Sequence, residues 1–79
     1  MEYKRYTDLT TERLVYLMDK YEGATEEDIT TQEVLELFSY LIHNGDCWWL
    51  NGWYGREARA LIDSKWISAE GYILYQEKE

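Results

Sequence analysis

Apolar residues recur at helical spacing in three stretches of the chain, and each stretch is bounded by recognisable stop and start signals. In the first, Leu14, Leu17, Met18 and Tyr21 fall at i, i+3, i+4 and i+7 and the stripe ends at Gly23. Thr10 stands in the N-cap position, with Leu9 and Leu14 where a hydrophobic staple would hold the entering chain. The second begins at Thr30, which with Glu33 spells a capping box, flanked by Ile29 and Val34 as a staple. Val34, Leu35, Leu37, Phe38, Leu41 and Ile42 then form an apolar face wider than one neighbouring helix covers, and Asn44-Gly45 closes it. A third helix is expected from about Tyr54 or Gly55 to Lys65, with Ala58, Leu61 and Ile62 inward. Beyond Trp66, the Tyr-rich run from Gly71 to Tyr75 reads as a short strand. The expected fold is therefore mainly α: one domain over residues 1–79, three helices, and at most a two-stranded ribbon pairing 47–50 with 71–75.

Composition narrows this further. At 79 residues there is room for one small core, and Cys47, the single cysteine, allows no intrachain disulfide. Aromatic packing must carry the stability that disulfides or metals supply in other small domains. Four Trp, eight Tyr and one Phe provide it. No apolar run is long enough to span a bilayer, and no secretory or lipidation signal is present, so a cytoplasmic protein is expected.

Charge is uneven. The net charge is −8, and residues 22–46 hold seven acids (Glu22, Glu26, Glu27, Asp28, Glu33, Glu36 and Asp46) and no Lys or Arg. Such a stretch repels phosphate backbones and attracts basic protein surfaces. Part of it has a local structural use, because Glu26, Glu27 and Asp28 precede a helix start, where the dipole favours negative charge. Glu33 and Glu36 are the acids expected to meet a basic partner.

No constellation in the chain resembles a catalytic or metal centre. His43, Asp46 and Cys47 are neighbours in sequence but straddle a helix end, and they are one ligand short of a structural tetrahedron. The chain is read as a non-enzyme with no cofactor and no metal. Arg56, Arg59 and Lys65 alternate with Trp53, Tyr54 and Trp66, a pattern compatible with a winged-helix-like DNA regulator. Three bases on an acidic protein are few for phosphate recognition. The unusual feature is Asp46–Gly55, where Trp48, Trp49, Trp53 and Tyr54 crowd into seven residues. So many rings exceed what a small interior absorbs, and Trp, Tyr and Arg are the residues that dominate interface hot spots. Trp48, Trp49, Trp53, Tyr54 and Arg56 are the expected partner contacts, the partner being another protein or a second copy of the chain.

The run Leu50-x-Gly52-x-Tyr54-Gly55-Arg56-x-Ala58-x-x-Leu61-Ile62, with Ile67 following, resembles a group of short tailed-bacteriophage proteins of unknown function. The likeness covers roughly residues 34–67, and Tyr54, Gly55 and Arg56 are its signature. The chain departs from the pattern at Asn51, where Gln is expected, and at Lys65, where a helix-ending Gly is expected. The resemblance implies an origin and not an activity: an accessory protein acting in the cytoplasm of an infected bacterium. Combined with the acidic and aromatic surface, it suggests an inhibitor or modulator of a host protein, either a defence nuclease (as anti-CRISPR proteins are) or the transcription or replication machinery. An oligomeric assembly component is the remaining alternative.

Overall fold

A computed structural model describes residues 3–50 and 52–75. Helix α1 spans Thr11–Glu22, α2 Thr31–Asn44 and α3 Gly52–Asp63, with a 3₁₀ turn, Asp46–Trp48, between α2 and α3. The domain is mainly α and three-helical, as the periodicity predicts.

The ends of α1 and α2 are set by their caps. Thr10 accepts from the Arg13 N–H at 3.1 Å. At the other end Gly23 adopts φ +78°, with its N–H on the Lys20 carbonyl and that of Ala24 on Asp19, a Schellman pair. The capping box on α2 is complete: the Glu33 N–H donates to the Thr30 hydroxyl, and the Thr30 N–H donates to the Glu33 carboxylate.

Helix α2 occupies the centre, burying Leu35, Leu37, Phe38, Ser39, Leu41 and Ile42. Leu17 reaches it from α1, and Tyr54, Ala58 and Leu61 from α3, with Cys47 and Ile67 completing the core. Three rings tie the helices together. Tyr21 meets Phe38 edge-on at 5.2 Å between centroids and Tyr54 at 5.1 Å, and the Tyr54 hydroxyl donates to the Glu22 carboxylate. Burial and that acceptor both push the Tyr54 phenol upward, so it remains a neutral donor.

The terminal segments pack on α2 through one buried hydroxyl. Ser39 Oγ accepts from the Tyr6 N–H at 2.8 Å and donates to the Gly71 carbonyl at 2.7 Å. Gly71 sits at φ +98° against the α2 backbone, where a Cβ would lie 2.8 Å from the Ser39 carbonyl oxygen. The segment ends on a stack of Trp66 and Tyr75, with centroids 4.4 Å apart.

Two expectations are corrected. Residues 47–50 do not pair with 71–75; the isolated antiparallel bridges of Ile73 go to Lys4 and Ile67. The reason is local: the N–H groups of Trp48, Trp49 and Leu50 already bond back to Gly45 and Asp46, leaving no ladder edge on that stretch. Helix α3 also starts and ends earlier than expected, at Gly52 and Asp63 rather than at Tyr54 or Gly55 and Lys65.

The α3 terminus explains the departure at Lys65. The Trp66 N–H donates to Leu61 and the Lys65 N–H to Ile62, again the Schellman pattern, with Lys65 itself at φ +65°. Among the described residues it is the one non-glycine with positive φ. Left-handed backbone costs a residue with a Cβ about 1–2 kcal/mol. Lys65→Gly is therefore expected to stabilise the fold by about 0.5–1 kcal/mol after the entropy of the unfolded chain is offset, raising Tm by roughly 2–8 °C. A calorimetric scan checks it; an unchanged or lower Tm would contradict this account of the helix end.

Candidate interaction surface

The α2–α3 connection begins at Gly45, whose φ of +82° ends α2. The Asp46 N–H then bonds the Asn44 side chain at 2.9 Å, and the turn closes on its own backbone. Cys47 points inward and is fully buried, so its neighbours face out. Trp48 is 48% exposed, Trp49 87%, Trp53 on the first turn of α3 58%, and Leu50 36%. Values this high for indole rings mean that the fold does not use them as core.

The surface stands on a close approach between turn and helix. At Gly55 a Cβ would lie 3.6 Å from the Cys47 carbonyl and 3.9 Å from the Trp48 ring, so Trp48 rests against the first turns of α3. The Arg56 guanidinium bends back to 4.0 Å from the Cβ position of Gly52, beside Trp53. Trp48 and Trp49 are thus carried by the 3₁₀ turn and the residue after it, and Trp53 and Arg56 by α3.

The other expected contacts lie elsewhere. Tyr54 is 1% exposed and belongs to the core, where its ring and hydroxyl are both engaged. Glu33 and Glu36 face α1. Glu36 receives the Arg13 guanidinium in a two-pronged bond, Nε at 2.9 Å and Nη2 at 2.8 Å. Glu33 receives the Lys20 ammonium at 2.9 and 3.0 Å, and Tyr16 lies 3.2 Å from the same nitrogen. Lys20 is buried, so this pair is part of the α1–α2 contact. The bonds from Lys20 and Thr30 hold the Glu33 carboxyl below the usual carboxylate range, while the Lys20 ammonium is held above its own.

The sign for stability follows from those directions. A depressed Glu33 pKa supplies stability above its unfolded value of about 4.3, and that stability is lost as acid protonates the folded carboxylate. The Lys20 contribution is present throughout the neutral range and fades only in strong alkali. Tm is expected to hold level near neutrality and fall below about pH 4.5. Glu33→Gln should lower Tm at pH 7 and flatten part of that acid limb; an unaltered limb would show that other carboxylates drive it.

Sequence reasoning missed Ser39 and Lys20, although a signal existed for both. Ser39 stands four residues after Leu35 and three before Ile42, inside the buried stripe. Arg13 and Lys20 are seven apart, on one face of α1, and Glu33 and Glu36 are three apart on α2.

Cys47 offers no nucleophile at neutral pH. Burial pushes its thiol up to about 11, with Asp46 adding to the rise. Among the described residues, no three His, Cys, Asp or Glu side chains gather as metal ligands, and no helix is long and apolar enough to cross a membrane. A cavity of about 170 Å³ lies between Lys4, Tyr6, Gln32, Leu35, Ile73 and Tyr75, smaller than the roughly 300–1,000 Å³ of small-molecule pockets.

The family model described as Domain of unknown function (DUF7417) matches residues 11–79, from the first residue of α1 onward. The chain belongs to that family. The DUF7417 match takes in all three helices, the tryptophan turn and the Gly71 segment, and leaves out Lys4 and Tyr6. Comparison with curated proteins and with solved structures gives no match.

Proposed function

We propose that this DUF7417 domain is a non-enzymatic phage accessory protein that inhibits or modulates a host protein by occupying its surface. The observation that carries the reading is the exposure of Trp48 and Trp49 on the α2–α3 turn and of Trp53 at the start of α3, at 48%, 87% and 58%. Exposing three indoles costs solubility, and rigid aromatic anchors of this kind supply most of the binding energy in protein interfaces. The resemblance of residues 50–62 to short tailed-phage proteins supports a bacterial host. Host defence nucleases and the transcription or replication machinery remain the target classes. Of the acidic stretch, Glu26, Glu27 and Asp28 stay exposed between α1 and α2 and can still meet a basic surface.

The test is capture from a bacterial lysate on immobilised protein, with Trp49→Ala/Trp53→Ala as the control. Both side chains are mostly outside the core, so the variant should melt within a few degrees of wild type. A host protein retained by wild type and lost from the variant is expected; no retention that depends on these rings would refute the reading. Light scattering on the same samples distinguishes a host partner from a second copy of the chain.

A second reading, DNA binding through α3, is favoured by one observation: Arg56, Arg59 and Lys65 are exposed and have no ionic partner among the described residues. Salt-sensitive retention on duplex DNA that Arg56→Ala and Arg59→Ala abolish would establish it instead.

A further inference from the structure

The bases among the described residues divide into an engaged group and an exposed one, Arg56, Arg59 and Lys65. Those of the first 20 residues are engaged within the fold. Lys4 lies over the Tyr6 ring at 4.6 Å and Arg5 over Tyr72 at 4.3 Å, while Arg13 and Lys20 hold Glu36 and Glu33. Arg56 and Arg59 are exposed on α3 and take part in none of these pairings, nor in any other ion pair or ring contact among the described residues. Glu33 and Glu36, which would have lent a negative edge to a binding face, are consumed by α1. The exposed charges nearest the indoles in sequence are therefore Arg56 and Arg59, with Asp46 at the start of the turn, in contrast to the protein's net −8.

Position makes this useful. Trp53, Arg56 and Arg59 succeed one another at three-residue intervals, so they are neighbours along the exposed side of α3. The Arg56 guanidinium folds toward Gly52, next to the turn that carries Trp48 and Trp49. Aromatic anchors with arginine at the edge form the composition of an interface centre, and a guanidinium there is matched best by a carboxylate, which it can grip in two places.

We infer that Trp48, Trp49 and Trp53 with Arg56 and Arg59 dock on a protein face that offers an apolar pocket edged by Asp or Glu side chains. This deepens the protein-binding reading and rests on it. It also reverses the expectation from net charge that the partner face is basic. A protein fits better than a nucleic acid. A phosphate chain needs several cationic contacts, more than Arg56 and Arg59 supply, whereas two guanidiniums suffice for carboxylates at the edge of an apolar pocket.

The experiment pans a displayed library of peptides about twelve residues long against the immobilised full chain and, in parallel, against Trp49→Ala/Trp53→Ala. Peptides enriched only on wild type should carry a Leu or aromatic anchor flanked by Asp or Glu. A synthetic copy of the most enriched peptide should bind Arg56→Glu/Arg59→Glu about tenfold or more weakly. Both arginines are exposed, and a melting curve checks that the variant folds. Enriched peptides with basic or neutral flanks, or no loss on charge reversal, would overturn the acidic-partner inference while leaving the tryptophan surface standing. No enrichment that depends on Trp49 and Trp53 would overturn both. Binding of a fluorescein-labelled oligo(dT) strand that needs Trp49 and Arg56 would likewise overturn both, in favour of nucleic acid.

Discussion

Gly71→Ala is expected to lower stability by about 3 kcal/mol or more, from two separable causes. The first is conformational: at φ +98° a residue with a Cβ is strained by about 1–2 kcal/mol. The second is steric. The new methyl would sit 2.8 Å from the Ser39 carbonyl oxygen, 3.1 Å from His43 Cβ and 3.2 Å from the His43 nitrogen. Two of those three atoms are backbone of the central helix and cannot rotate away, so the terminal segment must lift. Overpacking of that kind costs about 1–3 kcal/mol. For a domain this size the loss corresponds to a fall in Tm of roughly 12–24 °C. Gly23→Ala is the control, since Gly23 has φ +78° but nothing within 4 Å of its Cβ position. It should cost only the conformational part, about 1 kcal/mol. Equal losses at the two sites, measured by urea unfolding, would remove the close approach from the explanation.

The second large effect is Ser39→Ala, expected at about 2–3 kcal/mol. One hydroxyl serves two distant segments, accepting from Tyr6 and donating to Gly71. Its removal leaves a buried carbonyl and a partly buried N–H without partners. Each stranded group costs about 1–3 kcal/mol, far more than the net worth of a hydrogen bond. The loss should be accompanied by faster exchange of the Tyr6 amide. A change under about 0.5 kcal/mol, or unaltered exchange, would mean that Ser39 does not hold the N-terminal segment.

These two positions also show where reading the chain succeeded and failed. The caps at Thr10 and Thr30 and the stops at Gly23 and Gly45 were legible because each depends on residues within four or five positions of one another. The outward tryptophan turn was legible in part: too many rings for one interior is a statement about composition. Which rings stay out was not, and Tyr54 went in because its hydroxyl finds Glu22 across 32 residues. The ribbon was misplaced for a similar reason, since strand pairing is non-local and a Tyr-rich segment does not name its partner. Glu33 illustrates a half-legible residue. Its cap role is written in the Thr30–Glu33 spacing, whereas its bond to Lys20 depends on how α1 lies against α2.

The chain alone determined three helices, most of their ends, and an excess of aromatic surface, because local hydrogen bonds and volume are properties of sequence. Only the tertiary structure decided which charges are paired within the fold. By bringing α1 against α2 it neutralised Glu33 and Glu36, and it left Arg56 and Arg59 without an ion pair among the described residues beside the indoles. An ion pair forms over a few ångströms between residues far apart in sequence, so a count of charges along the chain cannot foresee it.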